Sequence, residues 1–264
     1  STRFPHTGGL GYAEGVPKIP AGALSVPDAE MLKRLIESNP QKPVKIRMNI
    51  ASKDHGEVSA PNVVGEIVGQ GAPEEIILLG AHLDSWDVGV GAVEDGAGCA
   101  AIIEAARQIG QMKQKPRRTI RVVLFNNEEN GLGGARAYAK THAAELAKHI
   151  LAMEADLGAG RVFKMHYAGD ASKREWFDAV ASLVSGPLGI AVTQEQARGG
   201  ADLIPLEPAR VPIIDLHQDA SLYFDLHHTE NDTLDKVNKG DLDQVTAAYA
   251  TVAYAIAGMP ADLG

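Results

Sequence analysis

Cysteine is almost absent from this sequence, since Cys99 is the single cysteine among 264 residues. A lone cysteine excludes an internal disulfide, and it also excludes a metal site built on several thiolates. Any metal bound by this chain must therefore be held by histidine, aspartate and glutamate side chains.

Long hydrophobic runs are absent as well. No stretch of about 18 apolar residues occurs, so the sequence predicts no membrane-spanning helix. The chain opens without the apolar segment of a signal peptide, although a mature exported protein would look the same. Internal repeats and low-complexity tracts are also missing.

Basic residues are in deficit. The 25 lysines and arginines face 34 aspartates and glutamates, which gives a net charge of −9. This balance argues against a nucleic-acid partner and against binding to anionic membranes. The hydrophobic content of 45% and the charged content of 22% are typical of a soluble globular protein. The length fits one large domain, or one domain with part of another.

The first sixty residues differ from the rest of the chain. They are rich in glycine and proline at the start and show no clear period there. A serine cap, a proline in the first turn and an early aspartate predict a helix over residues 26–38. The segment VKIRMNI alternates apolar and polar residues, which predicts a half-exposed strand over residues 44–50.

From about residue 62, apolar strands alternate with amphipathic helices. The predicted strands are NVVGEIVG, EIILLGAH, TIRVVLFN, ILAMEAD, RVFKMHYA and VPIIDL, with QGAPE as the turn between the first two. The predicted helices are GAGCAAIIEAARQIGQM, GGARAYAKTHAAELAKHI, SKREWFDAVASLVSG and DLDQVTAAYATVAYAIAG. This alternation predicts an α/β fold with a largely parallel sheet that is covered by helices on both faces.

Metal-capable side chains follow several of these strands. In the order of the chain they are His82, Asp84, Asp87, Glu94, Asp95, Glu128, Glu129, Asp156, His227 and His228. Each motif alone has an ordinary structural explanation, such as a polar pair or a solvated turn. The carboxyl ends of parallel strands meet at one edge of a sheet, however, so their recurrence there predicts a functional site.

The chemistry of this set suits two divalent metal ions. Zinc binds imidazole nitrogen and carboxylate oxygen, and one carboxylate can bridge two ions. Of the two adjacent glutamates, one can bind metal while the other stays free as a general base. Asp84, two residues after His82, is expected to accept the other N–H of that imidazole.

The ordered motifs GAHLDSWDVGVGAVEDGAG, LFNNEENGLGGARAY, MEAD, GGADLIPL and LHHTENDT resemble the di-zinc metallopeptidase family of bacterial aminopeptidases and glutamate carboxypeptidase II. The likeness covers nearly the whole chain. It implies a three-layer helix–sheet–helix zinc-peptidase fold with a mixed, mainly parallel central sheet. It further implies two zinc ions per chain, hydrolysis of dipeptides or of peptide bonds at chain ends, and a secreted, periplasmic or lysosomal-type location.

The resemblance also assigns roles to single residues. His82 and Asp156 would hold one zinc ion, while Glu129 and His228 would hold the other. His228 is preferred over its neighbour because the ligand in the family is followed by serine or threonine. Glu128 would be the general base that acts on the bridging water. His227 would stabilise the oxyanion, and Asp202 would line the substrate pocket.

One departure from the family concerns the bridging carboxylate. The position twelve residues after His82 is usually aspartate, but here it is Glu94. Glu94 is favoured as the bridge, with Asp95 after a backbone shift as the alternative. The extra methylene predicts that one metal is held more weakly, namely the one completed by Glu129 and His228.

The other departure is the start of the chain. In the carboxypeptidase branch of this family, GVPKIP lies near the end of a protease-associated lid domain. Residues 1–60 are therefore interpreted as the C-terminal remnant of that lid with a linker, and residues 61–264 as the catalytic domain. The chain is a fragment, or its N-terminal portion is a separate chain, or the fold manages without it.

Two other functions stay open beside a peptidase that acts on small peptides. The chain is also a candidate for a homodimer. An inactive relative that serves as a binding module is favoured by Glu94 and by the missing N-terminal portion. Glu128 argues against it, because a binding module needs no free base. A single-zinc acyltransferase of the glutaminyl-cyclase type is disfavoured by the set of five ligands. The zinc content per chain would separate the three.

Overall fold

The computed structural model describes residues 2–51, 53 and 55–259. The strands are β1 (Val63–Ile67), β2 (Ala72–His82), β3 (Arg118–Phe125), β4 (His149–Glu154), β5 (Val162–Ala168), β6 (Ala191–Val192) and β7 (Ile213–Gln218). The α-helices are α1 (Val26–Ser38), α2 (Ala97–Gln111), α3 (Gly133–Thr141), α4 (Arg174–Leu188), α5 (Tyr223–Leu226) and α6 (Lys239–Gly258).

The seven strands form one sheet in the order β1-β3-β2-β4-β7-β5-β6. The pairs β3–β2, β2–β4, β4–β7 and β5–β6 are parallel, whereas β1–β3 and β5–β7 are antiparallel. The prediction of a mixed, mainly parallel sheet is therefore confirmed. Strands β2, β3, β4 and β7 run in the same direction, so their carboxyl ends lie along one edge.

Helices cover both faces of the sheet because successive side chains of a strand point to opposite sides. In β2, Ile77 and Leu79 pack with α2, α4 and α6 in the larger core. Leu78 points the other way and packs with α3 and with the 3₁₀ stretch Ala201–Ala209. Because β2 is buried on both faces, it reads as a continuous apolar run rather than an alternating one.

Two adjacent isoleucines of α2 allow a test of this packing. Ile102 is 0% exposed in the larger core, whereas Ile103 is 48% exposed on the outer side of the same helix. We expect Ile102→Ala to lower the free energy of unfolding by about 2–5 kcal/mol, because the lost methylenes leave a cavity. Urea denaturation followed by circular dichroism measures it. Ile103→Ala makes the same exchange on the exposed side of the helix and is the matched control. An equal loss of stability in both variants would contradict the assignment of Ile102 to the buried face of α2 and of Ile103 to its exposed face.

The helix predicted over residues 26–38 is confirmed, with Ser25 as its cap. The strand predicted over residues 44–50 is wrong. Those residues pair with no other strand in the part of the chain that the structure describes, and both their apolar and polar side chains are exposed. Alternation alone does not make a strand when no partner strand lies beside it.

The helix predicted over residues 133–150 is too long. It ends at Thr141, and β4 already begins at His149. The buried guanidinium of Arg121 on β3 binds the Glu145 carboxylate at 3.0 Å, which holds the connecting segment against the sheet. The turn predicted over QGAPE is also shorter than expected, because β2 starts at Ala72 and carries a register shift before Ile76.

No helix within the described residues combines the length and the apolar character that a membrane crossing requires. Among the described residues of the segment 1–60, α1 is the only α-helix. The interpretation of that segment as a lid-domain remnant stays a prediction.

Candidate metal centre

His82 is the last residue of β2, and its imidazole faces two carboxylates. Its Nε2 lies 3.1 Å from Glu94 Oε1 and 3.6 Å from Asp156 Oδ1. Its Nδ1 donates to the main-chain carbonyl of Asp84 at 2.8 Å, and this bond leaves Nε2 directed at the carboxylates.

The predicted role of the Asp84 side chain is wrong in its detail. The acceptor for His82 is the main-chain oxygen of Asp84, because the chain turns back over the ring directly after β2. The Asp84 carboxylate accepts the amide N–H of Glu128 at 3.0 Å instead. Asp84 thus holds the loop after β3 beside the end of β2.

The loop before α2 presents Glu94 and buries Asp95. The Asp232 carboxylate accepts the amides of Val93 and Glu94 at 2.6 and 3.1 Å. Asp95 accepts the His82 amide at 3.0 Å and is 1% exposed. Glu94, and not Asp95, therefore lies among the clustered donor atoms. Sequence reasoning missed Asp232, although it stands inside the quoted motif LHHTENDT.

A close backbone approach brings the start of α2 to the end of β4. A Cβ at Gly98 would lie only 1.9 Å from the carbonyl oxygen of Ala155. Only glycine fits at this position without a backbone shift. The contact places the Glu94 loop beside Asp156, which follows β4.

Glu129 and His228 form the second pair of predicted ligands. The distance from His228 Nε2 to Glu129 Oε2 is 2.9 Å. The Trp86 indole N–H also donates to Glu129 Oε2, at 2.8 Å. On the other side, the Tyr223 hydroxyl donates to Glu94 Oε2. Sequence reasoning missed both Trp86 and Tyr223.

The structure brings together all five predicted ligands. Donor atoms lie within 4.8 Å of one another in three groups, which are His82–Glu94–Asp156, Glu94–His227–His228 and His82–Glu128–Glu129. Both Glu94 and His82 belong to two of these groups, and Glu94 is the carboxylate that lies close to His82 and Asp156 as well as to His227 and His228. This is the position that a bridging carboxylate would need.

The donor set fits divalent metal ions. Asp156 Oδ1 and Glu129 Oε1 are buried and have no hydrogen-bond partner. Buried carboxylate oxygens without a partner are costly unless a cation or proton satisfies them. Two divalent ions would set four positive charges against the three carboxylates Glu94, Glu129 and Asp156. Imidazole and carboxylate donors are the ligands that zinc prefers when cysteine is absent.

Crowding of carboxylates shapes the electrostatics of the site. Burial raises the pKa of Glu128 to about 7, and the nearby Asp156 and Glu129 carboxylates add to this rise against the opposing effect of His82. Burial by itself would raise the pKa of Glu129. The hydrogen bonds from His228 and Trp86 outweigh this effect, so the pKa of Glu129 is lowered. The two adjacent glutamates therefore differ in their environment, as a base and a ligand would.

His227 and Asp202 lie close to the centre in different ways. His227 stacks on His228 with 3.5 Å between ring centroids, and its Nδ1 is buried without a partner. Asp202 is 0% exposed, and its amide donates to Glu154 Oε1 at 3.2 Å. Burial and the nearby Glu128 raise the pKa of Asp202 to about 8. Asp202 is therefore buried beside Glu154, and its role in the substrate pocket stays a prediction.

A cleft of about 570 Å³ opens beside Asp156. Its lining mixes apolar surface with polar and charged side chains, which include Glu154, His166, Glu195, Arg198, Asp215 and His217. The cleft is large enough for a small peptide and adjoins the carboxylates of the centre.

The sequence profile of peptidase family M28 matches residues 62–253, which hold the whole sheet and every predicted ligand. The chain is a member of peptidase family M28. Carboxypeptidase Q of Mus musculus and that of Homo sapiens are each 36% identical to it over 256 residues. Those matches cover 97% of this chain and 53% of each relative, so the chain spans about half the length of the curated relatives it matches.

Solved M28 structures have the same fold. A peptidase M28 precursor from Shewanella amazonensis is 44% identical, with a TM-score of 0.94 over 99% of this chain and 58% of that one. An aminopeptidase from Aneurinibacillus is 27% identical, with a TM-score of 0.60 over 77% of this chain and 49% of that one. A zinc aminopeptidase from Bacillus subtilis is 19% identical with a TM-score of 0.61, covers 76% of this chain and 52% of that one, and shows the fold alone.

Proposed function

We propose that this M28 chain is a zinc-dependent exopeptidase that binds two zinc ions and hydrolyses dipeptides or peptide bonds at chain ends. The observation that carries the proposal is the convergence of five donor side chains at one sheet edge, with Glu128 beside them. The M28 relatives named as carboxypeptidase Q and as aminopeptidases support an exopeptidase.

His82, Glu94, Asp156, Glu129 and His228 would hold the metals. Bound zinc supplies Lewis acidity, which polarises the scissile carbonyl and makes a bound water more acidic. Glu128 takes a proton from the attacking water onto its carboxylate and later delivers it to the leaving amine. Its amide donates to the Asp84 carboxylate, which holds the main chain of residue 128 beside the end of β2.

His227 is proposed to stabilise the developing negative charge on the substrate carbonyl oxygen. Burial lowers the pKa of His227, which favours the neutral ring with one N–H to donate. The stacking of His227 on His228, one of the two predicted ligands of the second metal, supports this role. Preorganised donors of this kind stabilise the transition state more than the ground state.

The substrate is proposed to occupy the cleft beside Asp156. A small peptide is the class that fits its volume and its mixture of apolar and charged lining. We also propose a secreted, periplasmic or lysosomal-type location, since the Shewanella relative is described as a precursor. We further propose that residues 1–60 are the remnant of a lid domain with a linker, and that the chain forms a homodimer.

A panel of dipeptides, with and without a blocked amino or carboxyl end, tests the proposed activity. The zinc-loaded chain should hydrolyse unblocked dipeptides, and removal of zinc by a chelator should stop the reaction until zinc is restored. The blocked peptides show which end is required. No hydrolysis of any member by the zinc-loaded chain would contradict the proposal.

The length of the Glu94 side chain gives a separate prediction. Glutamate has one more rotatable bond than aspartate, so its carboxylate is less fixed between the two metals. We expect Glu94→Asp to raise the occupancy of the weaker site, that of Glu129 and His228, and to raise dipeptide turnover. Zinc stoichiometry and turnover measured side by side check this. Equal or lower values in the aspartate variant would show that glutamate is a fully adapted bridge here.

A further inference from the structure

The two predicted histidine ligands are oriented by different parts of the chain. His82 Nδ1 donates to the carbonyl of Asp84, only two residues away. His228 Nδ1 donates to the carbonyl of Thr7 at 3.1 Å, across 221 residues of sequence. One ligand is therefore braced by its own loop, and the other by the N-terminal segment.

Thr7 binds His228 in both directions. The Thr7 amide donates to the main-chain carbonyl of His228 at 2.8 Å, and the Thr7 hydroxyl donates to the same oxygen at 3.1 Å. Together with the bond from Nδ1, these contacts fix both the backbone and the ring of His228. The neighbouring His6 ring lies 6.1 Å from His227, so the segment contacts both histidines of the pair.

The backbone of His228 needs such support. Its φ is +56°, in the left-handed region that residues other than glycine rarely adopt. Backbone in this region persists only where the surroundings hold it. The Thr7 bonds act on the carbonyl of the same residue, and the bond to Nδ1 leaves Nε2 directed at Glu129.

We infer that Thr7 is a positioning residue for the second metal, and that docking of the N-terminal segment onto His228 sets the affinity of that metal alone. The inference rests on the proposed function, in which His228 and Glu129 hold a metal. Partners that orient a ligating histidine through its other nitrogen typically change metal affinity by about 10–100-fold. The site of His82 and Asp156 has its own local brace and should not respond.

The chain offers a reporter for the second site. Trp86 donates to Glu129, and its ring centroid lies 5.9 Å from that of His228. The other tryptophan, Trp176, packs beside Ile150 near the start of β4, at the opposite end of that strand from Asp156. In a Trp176→Phe background, quenching of Trp86 by Co²⁺ therefore reports occupancy of the second site.

The test compares Thr7→Pro, Thr7→Val, Thr7→Ser and wild type in that background. Proline removes the amide donor, valine removes only the hydroxyl, and serine keeps every bond. Arg3→Ala is the matched control for loosening of the segment, because it breaks the Arg3–Asp28 ion pair without touching His228. Stepwise Zn²⁺ affinities come from competition with a chelator, and Co²⁺ quenching of Trp86 identifies the site.

We expect Thr7→Pro to weaken the metal that quenches Trp86 by roughly 10–100-fold and to leave the other metal unchanged. Thr7→Ser and Arg3→Ala should match wild type. Unchanged affinities in Thr7→Pro, or equal weakening of both metals, would overturn the inference. If circular dichroism shows that Thr7→Pro is unfolded, the metal affinities of Thr7→Val test the inference instead. A several-fold weaker binding of the second metal in Thr7→Val would support it, and unchanged binding would contradict it. A wild-type chain that binds no metal would instead overturn the proposed function itself.

Discussion

Glu128→Gln is expected to lower dipeptide turnover by about 10²–10⁴-fold, the usual contribution of a general base, while both zinc ions stay bound. Glutamine keeps the shape of the side chain but lacks the oxygen that accepts a proton. The loop should keep its place, because Asp84 holds it through the main-chain amide of residue 128, which the substitution retains. Turnover and zinc content of the purified variant are the measurements.

The adjacent glutamate provides the control. Glu129 lies 2.9 Å from His228 Nε2 and accepts the Trp86 N–H, so Glu129→Gln should lose zinc as well as activity. Near-normal turnover in Glu128→Gln would show that Glu128 is not the base. Loss of zinc from that variant, with zinc retained in Glu129→Gln, would show that the two roles are exchanged.

His82→Ala is expected to remove one zinc ion and to reduce turnover by roughly 10³-fold or more. A bound metal contributes several kcal/mol of transition-state stabilisation, and each ~1.4 kcal/mol is a tenfold change in rate. His82 is 1% exposed and its Nε2 faces the Glu94 and Asp156 carboxylates, so the substitution removes the imidazole ligand proposed for that zinc ion. Zinc per chain and turnover are measured together.

His142→Ala is the matched control for the loss of an imidazole. His142 lies just after α3, where it contacts Glu145, and it is not among the clustered donor groups of the described residues. We expect this variant to keep its zinc and its turnover. A His82→Ala variant with full zinc content would contradict the assignment of His82 as a ligand.

Much of the fold could be predicted because buried parallel strands have a strong sequence signal. Strand β2 reads as one apolar run that ends at His82, and its parallel pairing with β3 and β4 agrees with the parallel sheet that the alternation of strands and helices predicts. Since the carboxyl ends of these strands share an edge, the approach of Glu129 and Asp156 to that edge could be expected from the sequence as well.

The failed predictions depended on tertiary contacts that local patterns do not contain. The segment 44–50 alternates like a strand, but no partner strand pairs with it among the described residues. The helix predicted over residues 133–150 ends at Thr141, and the segment that follows it is held to the sheet by Arg121 of β3, which binds Glu145.

The orientation of the ligands also escaped the sequence, since the contacts that set it join distant residues. Trp86 contacts Glu129 across 43 positions, Tyr223 contacts Glu94 across 129, and Thr7 contacts His228 across 221. The choice of Glu94 over Asp95 likewise rests on Asp232, far along the chain. Sequence patterns indicate which residues reach the sheet edge, but these contacts decide how each carboxylate and imidazole points.

The number of zinc ions per chain tests the central claim most directly. The purified chain is loaded with zinc, dialysed against metal-free buffer and analysed for zinc by elemental analysis, with protein concentration measured independently. The five predicted ligands, which fall in overlapping donor groups, predict two zinc ions per chain. One ion would favour a single-zinc acyltransferase, and none would contradict a metal centre at this sheet edge.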